Sequence, residues 1–148
     1  MSHKVLYTIP ARFRRLENLH ILFWLIKDAC WALNFRIPGI IMIFPTIIAA
    51  LVITWQTRRI ISELVHNLAI LFWITANCTW MVGEFYGLDE GQFGFRNLAL
   101  IPFSIGLSIL LSFYILYYTR RSFREKVLLQ TEEKVNNKMN GKAEPKTT

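Results

Sequence analysis

Lys27 and Asp28 are the residues of this chain best placed to do chemistry, because both fall in the middle of a predominantly apolar run, Leu16 to Phe35. At the centre of a bilayer each such group costs roughly 2.5 to 3.5 kcal/mol, while a Leu, Ile or Phe returns only about 0.3 to 0.6. A carboxylate held there can be coupled to a proton or can hold a cation, and an ammonium beside it modulates that charge. Adjacent helix positions diverge by about 100°. Lys27 is therefore expected to find its partner away from Asp28, on a carbonyl freed by a proline or on a second subunit.

The segment around this pair is written twice. Asn18 opens the stretch Asn-Leu-His-Ile-Leu-Phe-Trp, and Asn67, 49 positions later, opens Asn-Leu-Ala-Ile-Leu-Phe-Trp, with both stretches reaching a further tryptophan at Trp31 and Trp80. On a helix, Glu17, Trp24, Asp28, Trp31 and Phe35 share about 60° of arc, and the same offsets in the second copy select His66, Trp73, Asn77, Trp80 and Glu84. The pattern predicts a polar path between the two copies. Glu17, His20, Glu63 and His66 stand at its cytoplasmic mouth, Lys27, Asp28 and Asn77 at the midplane, and Asn34 and Glu84 at the outer mouth. Trp24 with Trp73 and Trp31 with Trp80 form its walls, since indole faces bind cations and flat rings. The plainer reading is polar glue, with Asp, Lys and Asn hydrogen-bonded across helices and tryptophan filling the seam.

Glu17 with His20 and Glu63 with His66 also repeat the Glu-x-x-His spacing of di-metal helical bundles, which need a further Glu from each of two other helices. The remaining apolar segments offer only Gln56 at that level, so capping and interfacial roles are expected and neither a metal nor a cofactor is predicted. No nucleophilic Ser/His/Asp set, phosphate-cradling glycine loop or Cys-x-x-Cys pair is present, and enzymatic activity is not expected. Cys30 and Cys78 fall at non-matching repeat positions and read as small interface residues. Ser104, Ser108 and Ser112, with Gly106 nearby, read as a close helix-packing face.

These residues need helices to position them. Four apolar segments, 16–35, 37–55, 60–85 and 98–118, are each near the ~20 residues that cross about 30 Å of hydrocarbon. None shows the strand-period alternation that a barrel requires. The predicted fold is all-α, a polytopic four-transmembrane-helix bundle over 16–119. Pro45 and Pro102 lie in similar surroundings in the second and fourth segments, which extends the duplication to two tandem two-helix repeats in a parallel arrangement, with an insertion around Gly87 to Gly94.

The formal charge of +7 follows topology and gives no reason to expect nucleic acid. Lys4, Arg12, Arg14, Arg15, Arg58, Arg59, Arg120, Arg121, Arg124 and Lys126 gather on one side, while Arg36 and Arg96 stand on the other with Glu84, Asp89 and Glu90. The positive-inside rule then predicts an integral protein of a bacterial cytoplasmic (inner) membrane or its equivalent, with both termini cytoplasmic and anionic lipid as counterpart. The first apolar run does not read as a cleaved signal peptide. Residues 1–15 form a basic, interfacial segment, and 120–148 a cytoplasmic tail, helical over Ser122 to Val135 and disordered from Asn136.

Together these features predict small-solute or proton-coupled transport through an intramembrane Asp/Lys/Asn site. A homo-oligomer is expected, since four helices rarely enclose an aqueous path. The alternative is a non-catalytic accessory or assembly protein whose buried charges pair with a partner protein's helix in the membrane.

Overall fold

The computed structural model describes residues 11–91 and 93–143, without the side chains of 11–17, 134, 135 and 137–143. The interfacial segment predicted at the start of the chain lies largely outside the described residues. Five helices follow one another: α1 (Ala11–Ala32), α2 (Arg36–Thr57), α3 (Ile61–Tyr86), α4 (Phe95–Thr119) and α5 (Arg121–Ala143). Among the described residues there is no strand. By length and composition α2, α3 and α4 can each cross a membrane. The 22-residue α1 is as long as α2, about 33 Å at 1.5 Å per residue, but its charges make it less apolar than the other three.

Helix ends are set by local backbone chemistry. α1 stops at Ala32, three residues before the predicted end at Phe35, because Asn34 takes the left-handed conformation (φ 55°). The Phe35 N–H then donates to Cys30 O (2.8 Å) and the Asn34 N–H to Trp31 O (2.9 Å). α3 ends in the same way at Gly87 (φ 65°), with Leu88 N–H to Gly83 O at 2.8 Å and Gly87 N–H to Glu84 O at 3.2 Å. Both ends are Schellman motifs, in which otherwise orphaned carbonyls accept bonds from the turn. Pro45 and Pro102 sit inside α2 and α4, and each helix continues past its proline.

Neighbouring helices pack in chain order, α1 on α2, α2 on α3 and α3 on α4. Ala50, Ile74 and Cys78, with Ile43, Ile47 and Leu71 around them, fill the contact between α2 and α3. α4 lies close to α3 at Gly106, where an added Cβ would meet Ala69 O and Phe72 Cβ at 3.2 Å, and at Gly83, where it would collide with Phe95 Cβ. Gly106 thus packs inward on α4, as do Ala99 and Phe113. Ser104, Ser108 and Ser112, predicted to share its packing face, are instead exposed on the outer side together with Leu107, Leu111 and Ile115.

α5 turns away from α4 at Arg120, whose backbone is extended (φ −110°, ψ 107°). Phe123, Val127 and Gln130, spaced one helical turn apart, face the bundle. Val127 is buried, Phe123 packs edge-on to Phe113 (5.9 Å between ring centroids), and Gln130 Oε1 accepts the Ile61 N–H at 3.4 Å. That last bond supplies the cap that Ile60, with its apolar side chain, does not give α3. The α5 helix runs on to Ala143, beyond Asn136 where composition predicts disorder to begin.

Candidate functional site

Between α1 and α3 the twice-written tryptophans meet in register. Trp24 and Trp73 pack edge to face at 4.8 Å between centroids, and Trp31 and Trp80 do so at 5.7 Å. Edge-to-face contact sets the positive rim of one ring against the negative face of the other. Each pair joins equivalent positions of the two stretches, and seven residues separate the pairs on both helices. α1 and α3 therefore run parallel with equivalent positions level, meeting through these long side chains while both pack on α2, with the two aromatic contacts about 10.5 Å apart along the seam.

Lys27 and Asp28 occupy the level between those contacts. The Lys27 side chain is wholly enclosed, 0% exposed, while the Asp28 side chain keeps 31% of its surface open. Contrary to the expectation for adjacent helix residues, the Lys27 Nζ donates to Asp28 Oδ1 in a short ion pair. The physical reason is the length of the lysine stem, whose four methylenes can curl round the helix and return the ammonium to its neighbour. The same ammonium lies 5.8 Å from the Trp31 ring centroid, within range of a cation–π attraction. Asn77, predicted to oppose Asp28, is half-buried and forms no side-chain hydrogen bond with a described residue. The neighbouring Cys78 is buried in the α2–α3 core. Cys30 and Cys78 are both free thiols.

The far end of the seam holds a second polar group. Trp31 donates its indole N–H to Glu84 Oε2 at 2.7 Å, and the Arg96 guanidinium lies 5.0 Å from the Trp80 ring centroid. Lys27, Asp28, Trp31, Trp80, Glu84 and Arg96 thus form one connected array, two cations and two carboxylates interleaved with two indoles. Three buried nitrogens of the seam, His20 Nε2, Trp24 Nε1 and Trp80 Nε1, have no hydrogen-bond partner among the described residues. His20, 9% exposed, lies one turn from Trp24 on α1. A buried N–H with nothing to donate to costs about 1 to 3 kcal/mol.

The predicted cytoplasmic mouth is not assembled as one cluster. His66 turns away from α1 toward α4, where its Nδ1–H donates to Ser62 O (2.7 Å) and its Nε2 accepts from the Tyr114 hydroxyl (2.9 Å). Since the Ser62 carbonyl can only accept, this pattern fixes the Nδ1–H form. His66 also packs edge-on to Phe113 and Tyr114, with centroids at 5.8 and 5.7 Å. Glu63 is half-buried and partnered, and the Glu17 side chain lies outside the described residues. With both ring nitrogens engaged, His66 acts as part of the α3–α4 contact.

Sequence reasoning missed three participants. Arg96 reaches Trp80 only because the loop after Gly87 returns α4 to the end of α3. Tyr114 is selected by the α3–α4 crossing. Asn67 donates from Nδ2 to the buried Thr57 Oγ1 (2.9 Å), tying α3 to the end of α2. Its recurrence as Asn18 and Asn67 at the start of each stretch was a signal that could have singled it out.

A comparison with known protein families, with curated proteins and with solved structures finds no match. The chain is an α-helical protein with three helices long and apolar enough to cross a membrane, and the α1–α3 seam is its candidate site.

Proposed function

We propose that this is a small integral membrane protein that moves a small solute, coupled to protons, along the α1–α3 seam. In this reading α1 is a fourth crossing, the two tandem two-helix units supply the equivalent seam helices, and both termini face the cytoplasm of a bacterial inner membrane or its equivalent. The observation that carries the proposal is the enclosed Lys27–Asp28 pair set between two indole contacts. A pair formed between neighbours does little to fix one helix on another. In this reading it sets two opposite charges midway along α1, at the level where a membrane is driest.

The chemistry follows from that geometry. When Asp28 takes a proton, Lys27 loses the charge of its carboxylate partner in a site that does not tolerate a lone ammonium. The freed ammonium then recruits an anionic or carbonyl oxygen of the solute, and loss of the Asp28 proton restores the pair and releases the solute. Trp24, Trp73, Trp31 and Trp80 restrict the seam on both sides of this exchange. The unpartnered His20, Trp24 and Trp80 nitrogens give the solute or its accompanying water successive resting places. Glu84 and Arg96 guard the far end.

The test is pyranine-loaded proteoliposomes under an imposed pH gradient, challenged in turn with amino acids, carboxylates and small amines. One class should accelerate the internal pH change, Asp28→Glu should retain part of that flux, Lys27→Met should abolish it, and Glu84→Gln should alter its concentration dependence. If no class moves protons through folded wild-type protein, transport is the wrong reading.

A second reading, an accessory protein that docks on a partner helix, is favoured by α4. Only 17% of its spanning window is buried, and Ser104, Ser108 and Ser112 face outward from it. A cysteine placed at Ser104 should then crosslink to one partner in native membranes, and transport should be absent.

A further inference from the structure

α1 and α3 both stand on α2, and the side of their seam turned away from α2 is open. On α1, Ile21, Leu25 and Ala32 lie one or two turns from Asp28 on the same face, and all three are exposed. On α3, Ile70 and Trp73 stand in the same relation to Asn77 and are exposed as well. Asp28 and Asn77 occupy equivalent positions of the twice-written stretch, so they are level with one another between the two indole contacts. The open side is an apolar strip crossed near its middle by one polar band.

That band is only half satisfied. Lys27 Nζ donates to Asp28 Oδ1, which leaves Oδ2 without a donor among the described residues, on a side chain that is 31% exposed. Asn77 is half-buried, and its amide forms no hydrogen bond with a described residue. One copy of the chain thus offers a charged acceptor and an amide donor at the same depth and does not join them to each other. Within lipid this is costly, because a carboxylate facing acyl chains is among the least tolerated groups at mid-bilayer. Water does not relieve it where the side chains above and below, Ile21, Leu25 and Trp73, are apolar.

With α1 as the fourth crossing, the reading given above, the loop charges fix one orientation in the membrane. Two copies then enter the same way up, and a two-fold axis between them runs along the membrane normal. Rotation about that axis changes no residue's depth. It carries Asn77 of one copy to the level of Asp28 of the other, and the reverse.

We propose that the open side of the seam is the interface for a second copy of this chain, with Asn77 Nδ2–H of each copy donating to Asp28 Oδ2 of the other. The contact is self-complementary, as a two-fold interface requires, since each copy gives one such bond and receives one. Ile21, Leu25, Ile70 and Trp73 pack around the two bonds and exclude lipid from them. The second copy also closes over the seam, turning a groove between α1 and α3 into an enclosed path. The inference rests on α1 crossing the membrane and not on any solute being moved.

Energy transfer between donor- and acceptor-tagged copies in liposomes, titrated by the protein-to-lipid ratio, measures the dimer. Wild type should associate. Asn77→Leu removes both reciprocal bonds and should weaken association about ten-fold. Lys27→Met with Asp28→Leu, which removes the acceptor without stranding the lysine, should do the same. A mixture separates contact between copies from contact within one. The Asn77→Leu copy keeps Asp28 and the Lys27→Met, Asp28→Leu copy keeps Asn77, so the mixed pair recovers one bond and should associate about three-fold more tightly than either variant with itself. Circular dichroism checks that each variant is helical, and Asn77→Ala or Asp28→Ala replaces a leucine variant that is not. Wild type that stays monomeric overturns the proposal, and so does a dimer indifferent to both changes, whose interface lies on another face such as that of α4. A mixture no tighter than the separate variants overturns it too, because Asp28 and Asn77 then pair within one copy. Flux measured in the same liposomes keeps the two readings apart: a monomer that moves solute sinks only the dimer, and a dimer that moves none sinks only transport.

Discussion

The Lys27–Asp28 pair can be tested by its own asymmetry. Asp28→Asn keeps an oxygen that accepts a hydrogen bond from Lys27 but removes the compensating charge, and Lys27 is fully enclosed. Uncompensated buried charge from a broken pair costs about 3 to 5 kcal/mol, so Asp28→Asn should fall in that range. Lys27→Met leaves a carboxylate that is 31% exposed and that can take a proton or reach water, so its cost should be about 1 to 3 kcal/mol. The double variant removes both charges and fills the lysine's space with an apolar chain of similar length. It should return to within about 1 kcal/mol of wild type, because replacing a buried pair by apolar groups is commonly neutral or stabilising. The coupling between the two positions is then at least about 3 kcal/mol, the upper end for contacting residues. Reversible unfolding in mixed micelles of dodecyl sulfate and a mild detergent, followed by circular dichroism, measures all four corners of the cycle. Asp28→Asn costing less than about 1 kcal/mol, or two single effects that simply add in the double variant, would refute an enclosed pair.

Three further outcomes follow from contacts elsewhere. Gly83→Ala forces its new methyl into Phe95 Cβ, where neither helix can yield easily, and should destabilise the α3–α4 pair by about 1 to 3 kcal/mol in the same unfolding assay. Asn67→Ala leaves the buried Thr57 hydroxyl without its donor and should cost about 1 kcal/mol, with Asn67→Asp failing to rescue unless it carries a proton. Trp31→Phe keeps the aromatic contact to Trp80 but removes the N–H held by Glu84. It should change stability by no more than about 1 kcal/mol, as Glu84 is exposed, and a second change to Gln at Glu84 should then have no added effect on unfolding.

Much of the scaffold can be read before any coordinates. Apolar runs of crossing length give α2, α3 and α4 to within a few residues, because in lipid the backbone has few ways to satisfy its own polar groups. Repetition of the Asn-Leu-x-Ile-Leu-Phe-Trp stretch picks out the indoles that meet, Trp24 with Trp73 and Trp31 with Trp80, since equal spacing on two parallel helices keeps equal positions level. Side-chain reach defeats the same reasoning at Lys27. A helical wheel gives the direction of Cβ, whereas the ammonium is several rotatable bonds beyond it and settles where a carboxylate lies, one residue away.

What the amino-acid order determines by itself is which segments are helical and apolar and where charges concentrate, both consequences of local backbone and solvation chemistry. The tertiary structure alone decided which faces meet. It sent His66 to Tyr114 instead of α1, left Ser104, Ser108 and Ser112 outside while Gly106 packs inside, brought Arg96 over Trp80, and folded α5 back so that Gln130 caps α3. Those outcomes depend on how closely two backbones can approach and on where a loop returns the chain, quantities that no single helix's sequence encodes.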